Sequence, residues 1–189
     1  MAEAPPDPVR DGPPRVLLIG ALVLAVAAIV TVLAIAAARQ APRQPVAIAA
    51  VPAPQAEDPA CRSLLEAAPQ RLGDYQRVRA VDPAPAGAAA WQGEPGTEPV
   101  VLRCGLDRPA EFVMGSPIQV VDDVQWFRVG DTGADGSPSD RSTWFTVDRP
   151  IYVALTLPAG SGPAPIQQLS ETIAATMPSV PIDPPRPGG

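Results

Sequence analysis

The chain has 189 residues, a net charge of −6, no histidine, and 14 basic residues that are all arginine. Without His or Lys it lacks the commonest general base and metal ligand, and the side chain that Schiff-base and P-loop chemistry require. The acidic balance argues against nucleic acid, which calls for a clustered basic face; no catalytic residues, metal or cofactor are expected.

Val16–Ala38 reads VLLIGALVLAVAAIVTVLAIAAA, an uncharged run of 23 residues between Arg15 and Arg39. As a helix it would reach about 34 Å, enough to cross a hydrocarbon core of roughly 30 Å. Its one polar side chain, Thr31, can bond back to its own helix. The alternative is a cleaved signal peptide, with Ala34, Ala36 and Ala38 offering small-residue sites. A signal core, however, runs only about 7–15 residues, so a retained membrane anchor is expected. Arg10 and Arg15 precede the span while Arg39 and Arg43 follow it, so the positive-inside count is tied. Residues 1–15 are short and proline-rich, which leaves the C-terminal part as the working end.

Residues 39–57, RQAPRQPVAIAAVPAPQAE, carry scattered prolines and read as an extended stalk. Residues 58–180 form the expected domain, and residues 181–189 read as a frayed tail. In the domain, Asp58 is placed to cap a helix, Pro59 suits its first position, and Pro69 ends the segment. Cys61, Leu64, Leu65 and Ala68 share one helical face.

Strand-like segments follow at Tyr75–Val81, Pro99–Leu106, Val124–Val129, Ser142–Val147 and Ile151–Leu157. GDTGADGSPSD, between the third and fourth of these, suits a long hairpin loop. In the last helix Ile166, Leu169, Ile173 and Met177 form one stripe. Consecutive strands with no intervening helix imply an antiparallel sheet of about five strands. The N-terminal and C-terminal helices would pack on one face of it, an α+β fold preceded by one transmembrane helix.

Cys61, on the inner face of the first domain helix, and Cys104, near the end of a strand, suit a helix-to-sheet disulfide. Such a bond persists outside the cytoplasm and is reduced inside it. Two buried unpaired thiols are the alternative. A bridge would break the topological tie: N-terminus cytoplasmic, domain extracytoplasmic, one pass through the plasma membrane.

Several pieces together mark a resemblance: Ala90–Trp91, then VVLRCGL with Pro109 shortly after, then Val124–Gln125–Trp126, then Arg149 ahead of IYVALTLP. The chain resembles the actinobacterial single-pass membrane proteins grouped as domain of unknown function 3515. The resemblance spans about Cys61 to Pro178 together with the preceding anchor. L-R-C-G is its most specific mark. It implies a location in the cell envelope and supplies no activity.

Arg103 beside Cys104 could favour a thiolate, but neither a C-x-x-C partner nor a general base is present, and a structural role is preferred. Asp122, Asp123, Asp131, Asp135 and Asp140 suggest a cation loop. DTGADG, however, has Gly133 and Ser142 where a calcium loop needs ligands, and a solvated hairpin is preferred. Trp91, Trp126 and Trp144, with Arg103, are the candidate binding surface. In the strand pairs Trp126–Phe127 and Trp144–Phe145, neighbouring rings must face opposite sides of the sheet. An aromatic face away from the helices would then take an envelope protein or a glycan. The leading expectation is therefore a membrane-tethered binding or scaffolding module. The alternatives are an accessory subunit contacting partners through its transmembrane helix, and an envelope hydrolase using Glu94 and Glu98.

Overall fold

The computed structural model describes residues 15–39, 44–132 and 138–186. These fall into two compact units, residues 1–42 and residues 43–189. The described residues of the first unit form one helix, α1 (Arg15–Arg39). Within it Val16–Ile35 is long and apolar enough to cross a membrane, the sole such helix among the described residues. Thr31 Oγ1 donates to the Ala27 carbonyl at 2.8 Å, so the one hydroxyl is satisfied inside the helix, as a hydrocarbon environment requires.

The second unit opens its regular structure with α2 (Pro59–Ala67). Asp58 caps it through Oδ1, which accepts from the Ala60 amide at 2.8 Å, and Pro59 occupies the first turn, where its missing N–H costs nothing. Eight strands follow: β1 (Arg71–Leu72), β2 (Tyr75–Val78), β3 (Ala88–Gln92), β4 (Val100–Leu106), β5 (Ile118–Val121), β6 (Val124–Thr132), β7 (Pro138–Thr146) and β8 (Tyr152–Leu157). The last helix is α3 (Ala164–Thr176). All eight strands form one antiparallel sheet in the order β1-β2-β3-β4-β8-β7-β6-β5. The fold is α+β, with a larger sheet than the five strands expected.

The three additional strands each carry a weak signal. β1 has two residues. β3 is AAAWQ, alanine-rich and poor in the branched residues that mark strands. β5 is a four-residue edge joined to β6 through a two-residue turn in which Asp122 adopts a left-handed conformation, φ 50°, as tight hairpins require.

Both helices cover the same face of the sheet. Cys61 and Leu64 from α2, and Ile166, Leu169 and Ile173 from α3, pack with Trp91, Leu102, Cys104, Trp126 and Leu155 in one core. The other face is partly covered too. Residues expected to be a free stalk run across it as a strap. Val46 pairs with Ala80 in a parallel bridge, Ile48 buries itself on Ala90 and Val101, and the Gln55 amide donates to the Gly105 carbonyl at 3.1 Å. The stalk boundary at residue 57 is corrected accordingly: the domain takes in the chain from Val46 onward. Within the expected tail the Pro185 carbonyl accepts the Met114 amide at 2.8 Å, and residues 187–189 lie outside the described residues.

Topology explains the second cover. β4 and β5 are consecutive in sequence, yet β5 lies on the far edge, beyond β8, β7 and β6. Residues 107–117 therefore have to cross the sheet, and Phe112 pins them there by packing on Phe127 and Val147, with ring centroids 5.3 Å apart in the Phe112–Phe127 pair.

Candidate functional site

A groove lies between these two covers, over β4, β8 and β7. Alternation along each strand decides what lines it. In β4, Leu102 and Cys104 face the helices, while Val101 and Arg103 face the groove. In β8, Ala154 and Thr156 face it, and in β7 Arg141, Thr143 and Phe145.

A bulge between Cys104 and Leu106 shifts the register against β8. Gly105 sits in it at φ +90°, a conformation glycine adopts without strain. The extra residue inverts the alternation, so Leu106 joins Arg103 on the groove side instead of following Cys104 toward the helices. Gly105 is required for a second reason. A side chain there would overlap the backbone of Gln55 and Ala56, where the strap crosses.

The groove at its Arg103 end encloses about 410 Å³, within the usual size of small-ligand sites. Its strap wall carries Ile48, Ala49 and Val51. On its floor the Thr143 and Thr156 hydroxyls bond each other at 3.0 Å. Glu98 reaches the rim and pairs with Arg141 at 3.7 Å, both side chains being well exposed. Past Val51, Leu106 and Phe145 the groove continues into a second space of about 400 Å³, bordered by Pro52, Pro109 and Val129, with Asp107 and Glu111 along it.

Arg103 is the unusual member. It is half-buried, with its Nη2 donating to the Ala49 carbonyl at 3.3 Å. Its Nε is buried and has no hydrogen-bond partner among the described residues. Burial, and secondarily the neighbouring Arg141 charge, pull its pKa below the ordinary arginine value, though a guanidinium stays charged at neutral pH. A buried N–H of a charged group left unpaired costs about 1–3 kcal/mol or more.

The tryptophans lie elsewhere. Trp91 and Trp126 are fully buried on the helix side, which corrects the expectation that they present a binding surface. The Trp91 indole donates to the Pro69 carbonyl at 2.8 Å, and the Trp126 indole donates to Ser170 Oγ on α3 at 3.0 Å. Trp144 packs against the same core and donates to Ser142 Oγ at 3.0 Å. Of the four residues expected on that surface, Arg103 alone reaches the groove. Phe145, set apart from Trp144 by simple alternation, is the aromatic that lines it.

Glu94 and Glu98 are exposed and lie in the turn between β3 and β4; Glu98 engages Arg141, and the Glu94 carbonyl accepts from Thr97 Oγ1 at 2.8 Å. Asp122 and Asp123 make the β5–β6 turn. Gly133 and Asp135, in the expected loop GDTGADGSPSD, lie outside the described residues. Among the described residues, no group of three or more His, Cys, Asp or Glu side chains is arranged to hold a metal ion.

The cysteines are joined. Cys61 and Cys104 form a disulfide across α2 and β4, with their Cα atoms 5.6 Å apart. A buried ion pair that sequence reading did not single out lies at the end of β7. Arg149 Nη1 sits 2.9 Å from Asp148 Oδ2, and Arg149 Nη2 donates to the Asp123 carbonyl at 2.7 Å. The Asp148 carbonyl also accepts the Val180 amide at 2.9 Å. This pair ties the β5–β6 turn and the chain after α3 to one corner of the sheet.

Fold and groove together define an α+β domain, disulfide-bridged and grooved on its non-helical face, in a chain that also carries one N-terminal apolar helix fit for a membrane anchor or a signal sequence. The chain belongs to the family described as "Protein of unknown function (DUF3515)", whose model matches residues 22–182. No curated protein and no solved structure matches it.

Proposed function

We propose that this protein is a binding module of the cell envelope, held by α1 in the plasma membrane with its N-terminus cytoplasmic and its sheet domain outside. The Cys61–Cys104 bridge supports the orientation, because a disulfide persists in an oxidising compartment. The observation that carries the binding role is Arg103: a half-buried cation with an unpaired Nε, opening on a groove between two covers. A position so costly to desolvate fits a role in recognition.

Two measurements test this reading. A membrane-impermeant maleimide should label Ala159→Cys, at an exposed site, in intact cells; labelling only after lysis would reverse the orientation. A photo-crosslinking amino acid at Ala49, on the strap wall, should trap a bound molecule in living cells, while one at Gln167 on the exposed side of α3 should not. Crosslinking confined to positions within α1 would instead favour an accessory subunit that contacts partners through its membrane helix.

A further inference from the structure

We infer that β5 is a docking edge for a second copy of this chain, the two β5 strands pairing antiparallel about a two-fold axis at Gln119. This surface is separate from the groove.

The hairpin fixes which backbone groups are free. Its two-residue turn makes Val121 and Val124 a hydrogen-bonded pair. Alternation makes Gln119 and Trp126 another, and leaves Val120 opposite Gln125 with no bonds between them. The Gln125 carbonyl accordingly turns the other way, to the Val147 amide at 2.9 Å. The N–H and C=O groups of Ile118 and Val120 therefore point off the sheet, and no backbone partner meets them among the described residues.

An open edge invites another strand unless it is short, bulged or charged. β1, at the opposite edge, has two residues, one of them Arg71. β5 has no charged residue, no proline and an unbroken register. It exposes Val120 at 68%, the most of any large apolar side chain described in the second unit.

Self-complementarity selects the occupant. With Gln119 opposite Gln119 of the second copy, Val120 faces Ile118 of the second copy and exchanges both bonds with it. Every outward group of both strands is then used, and the exposed Val120 side chain is covered. Charge is complementary as well. The antiparallel sense brings the acidic turn of each copy, Asp122 and Asp123, to the end of the other's β5 where exposed Arg128 follows Phe127 on β6. Two four-residue strands bury less than the roughly 1,200 Å² of a stable interface in solution. Two chains held in one membrane by α1 supply the missing concentration, a step that rests on the anchor proposed above.

The test uses the full chain in proteoliposomes, whose co-flotation with the protein checks the anchor separately. Gln119 occupies the closely spaced position at the axis, where Cα atoms lie about 4.5 Å apart, within disulfide reach. Gln119→Cys should therefore oxidise to a reducible dimer. Val120→Cys, displaced along the strand from its own copy, should do so at least about tenfold more slowly. Val120→Pro removes an N–H that β6 does not use; it should slow the Gln119→Cys dimer at least about tenfold and leave the urea midpoint of the domain unchanged. Arg128→Glu should slow it too, and adding Asp123→Arg should restore it. Equal rates from Gln119→Cys and Val120→Cys, no dimer from either, or a rate indifferent to Val120→Pro would each overturn the pairing. Failure of the charge swap to restore the rate would overturn the register. In cells, a photo-crosslinking residue at Val120 should give a conjugate of twice the chain's mass; conjugates of other masses alone would give the edge to a foreign strand and overturn the second copy.

Discussion

Replacing either cysteine by alanine should destabilise the domain by about 4 kcal/mol. The magnitude follows from the chain between them. The bridge closes a separation of 43 residues, and the chain-entropy relation for a loop of that length gives about 4 kcal/mol at 25 °C. Both sulfurs are also fully buried in the main core, so each alanine leaves a small void that adds a fraction of the cost of a larger truncation. For a unit of about 150 residues, the loss should lower Tm by roughly 10–15 °C. The assay is urea unfolding of the full chain in micelles, followed by fluorescence of the buried Trp91 and Trp126, with the wild type measured both unreduced and reduced. Cys61→Ala, Cys104→Ala and reduced wild type should fall close together, and the double variant only slightly below them, because every change removes the same bond. Costs that add across the two sites would refute the reasoning, as would alkylation of both cysteines in the unfolded protein before any reductant is supplied.

Three further outcomes follow from the geometry. Gly105→Ala should cost about 2–4 kcal/mol, since the methyl overlaps backbone at Gln55 and Ala56 in a left-handed conformation; hydrogen exchange at the Gln55 amide should accelerate before that at β8. Arg149→Met should cost about 3–5 kcal/mol by leaving Asp148 buried and unpaired, and adding Asp148→Leu should recover much of it, as read from urea midpoints. Burial raises the pKa of Tyr75, aided by the Asp74 charge. Burial likewise raises that of Tyr152, with Asp183 acting in the same direction and Arg108 against it. Both phenols should therefore ionise above the ordinary value near 10.0 in the folded protein and closer to it in denaturant, by ultraviolet titration. Because the unfolded chain loses these protons first, their contribution is whole below pH 10 and declines as pH rises through the folded values; coincident titrations would remove it.

Much of this was legible in the sequence because it depends on period and on local chemistry. Asp58 before Pro59 signals a capped helix, and the Ile166–Leu169–Ile173–Met177 stripe is buried as a helical face should be. The strands at Val100–Leu106 and Tyr152–Leu157 announce themselves by composition. What escaped depends on contacts distant in the chain. Prolines made residues 39–57 read as a free extended stalk, although Val46 and Ile48 alternate with alanines so that one side of the segment is apolar. That alternation was the available signal for the strap. Trp126 and Trp144 could not be assigned to a face from sequence, because alternation gives two faces and only the helices decide which is inner. The groove was invisible for the same reason: Arg103, Arg141 and Phe145 come together only when β4 and β7 are set on either side of β8.

Leu102, Arg103, Cys104 and Gly105 are four adjacent residues under four separate constraints. Each faces a different demand. Leu102 fills the core under the helices, Arg103 points into the groove, Cys104 returns to the helix side to meet Cys61, and Gly105 clears the strap while inverting the alternation for Leu106. Shifting the strand by one residue would flip every side chain to the wrong face. It would part Cys104 from Cys61 and withdraw Arg103 from the groove in the same movement. The bridge therefore fixes the register that aims Arg103, and the strap's bond to Gly105 fixes the wall opposite it. On this geometry the groove is best formed in the oxidised protein.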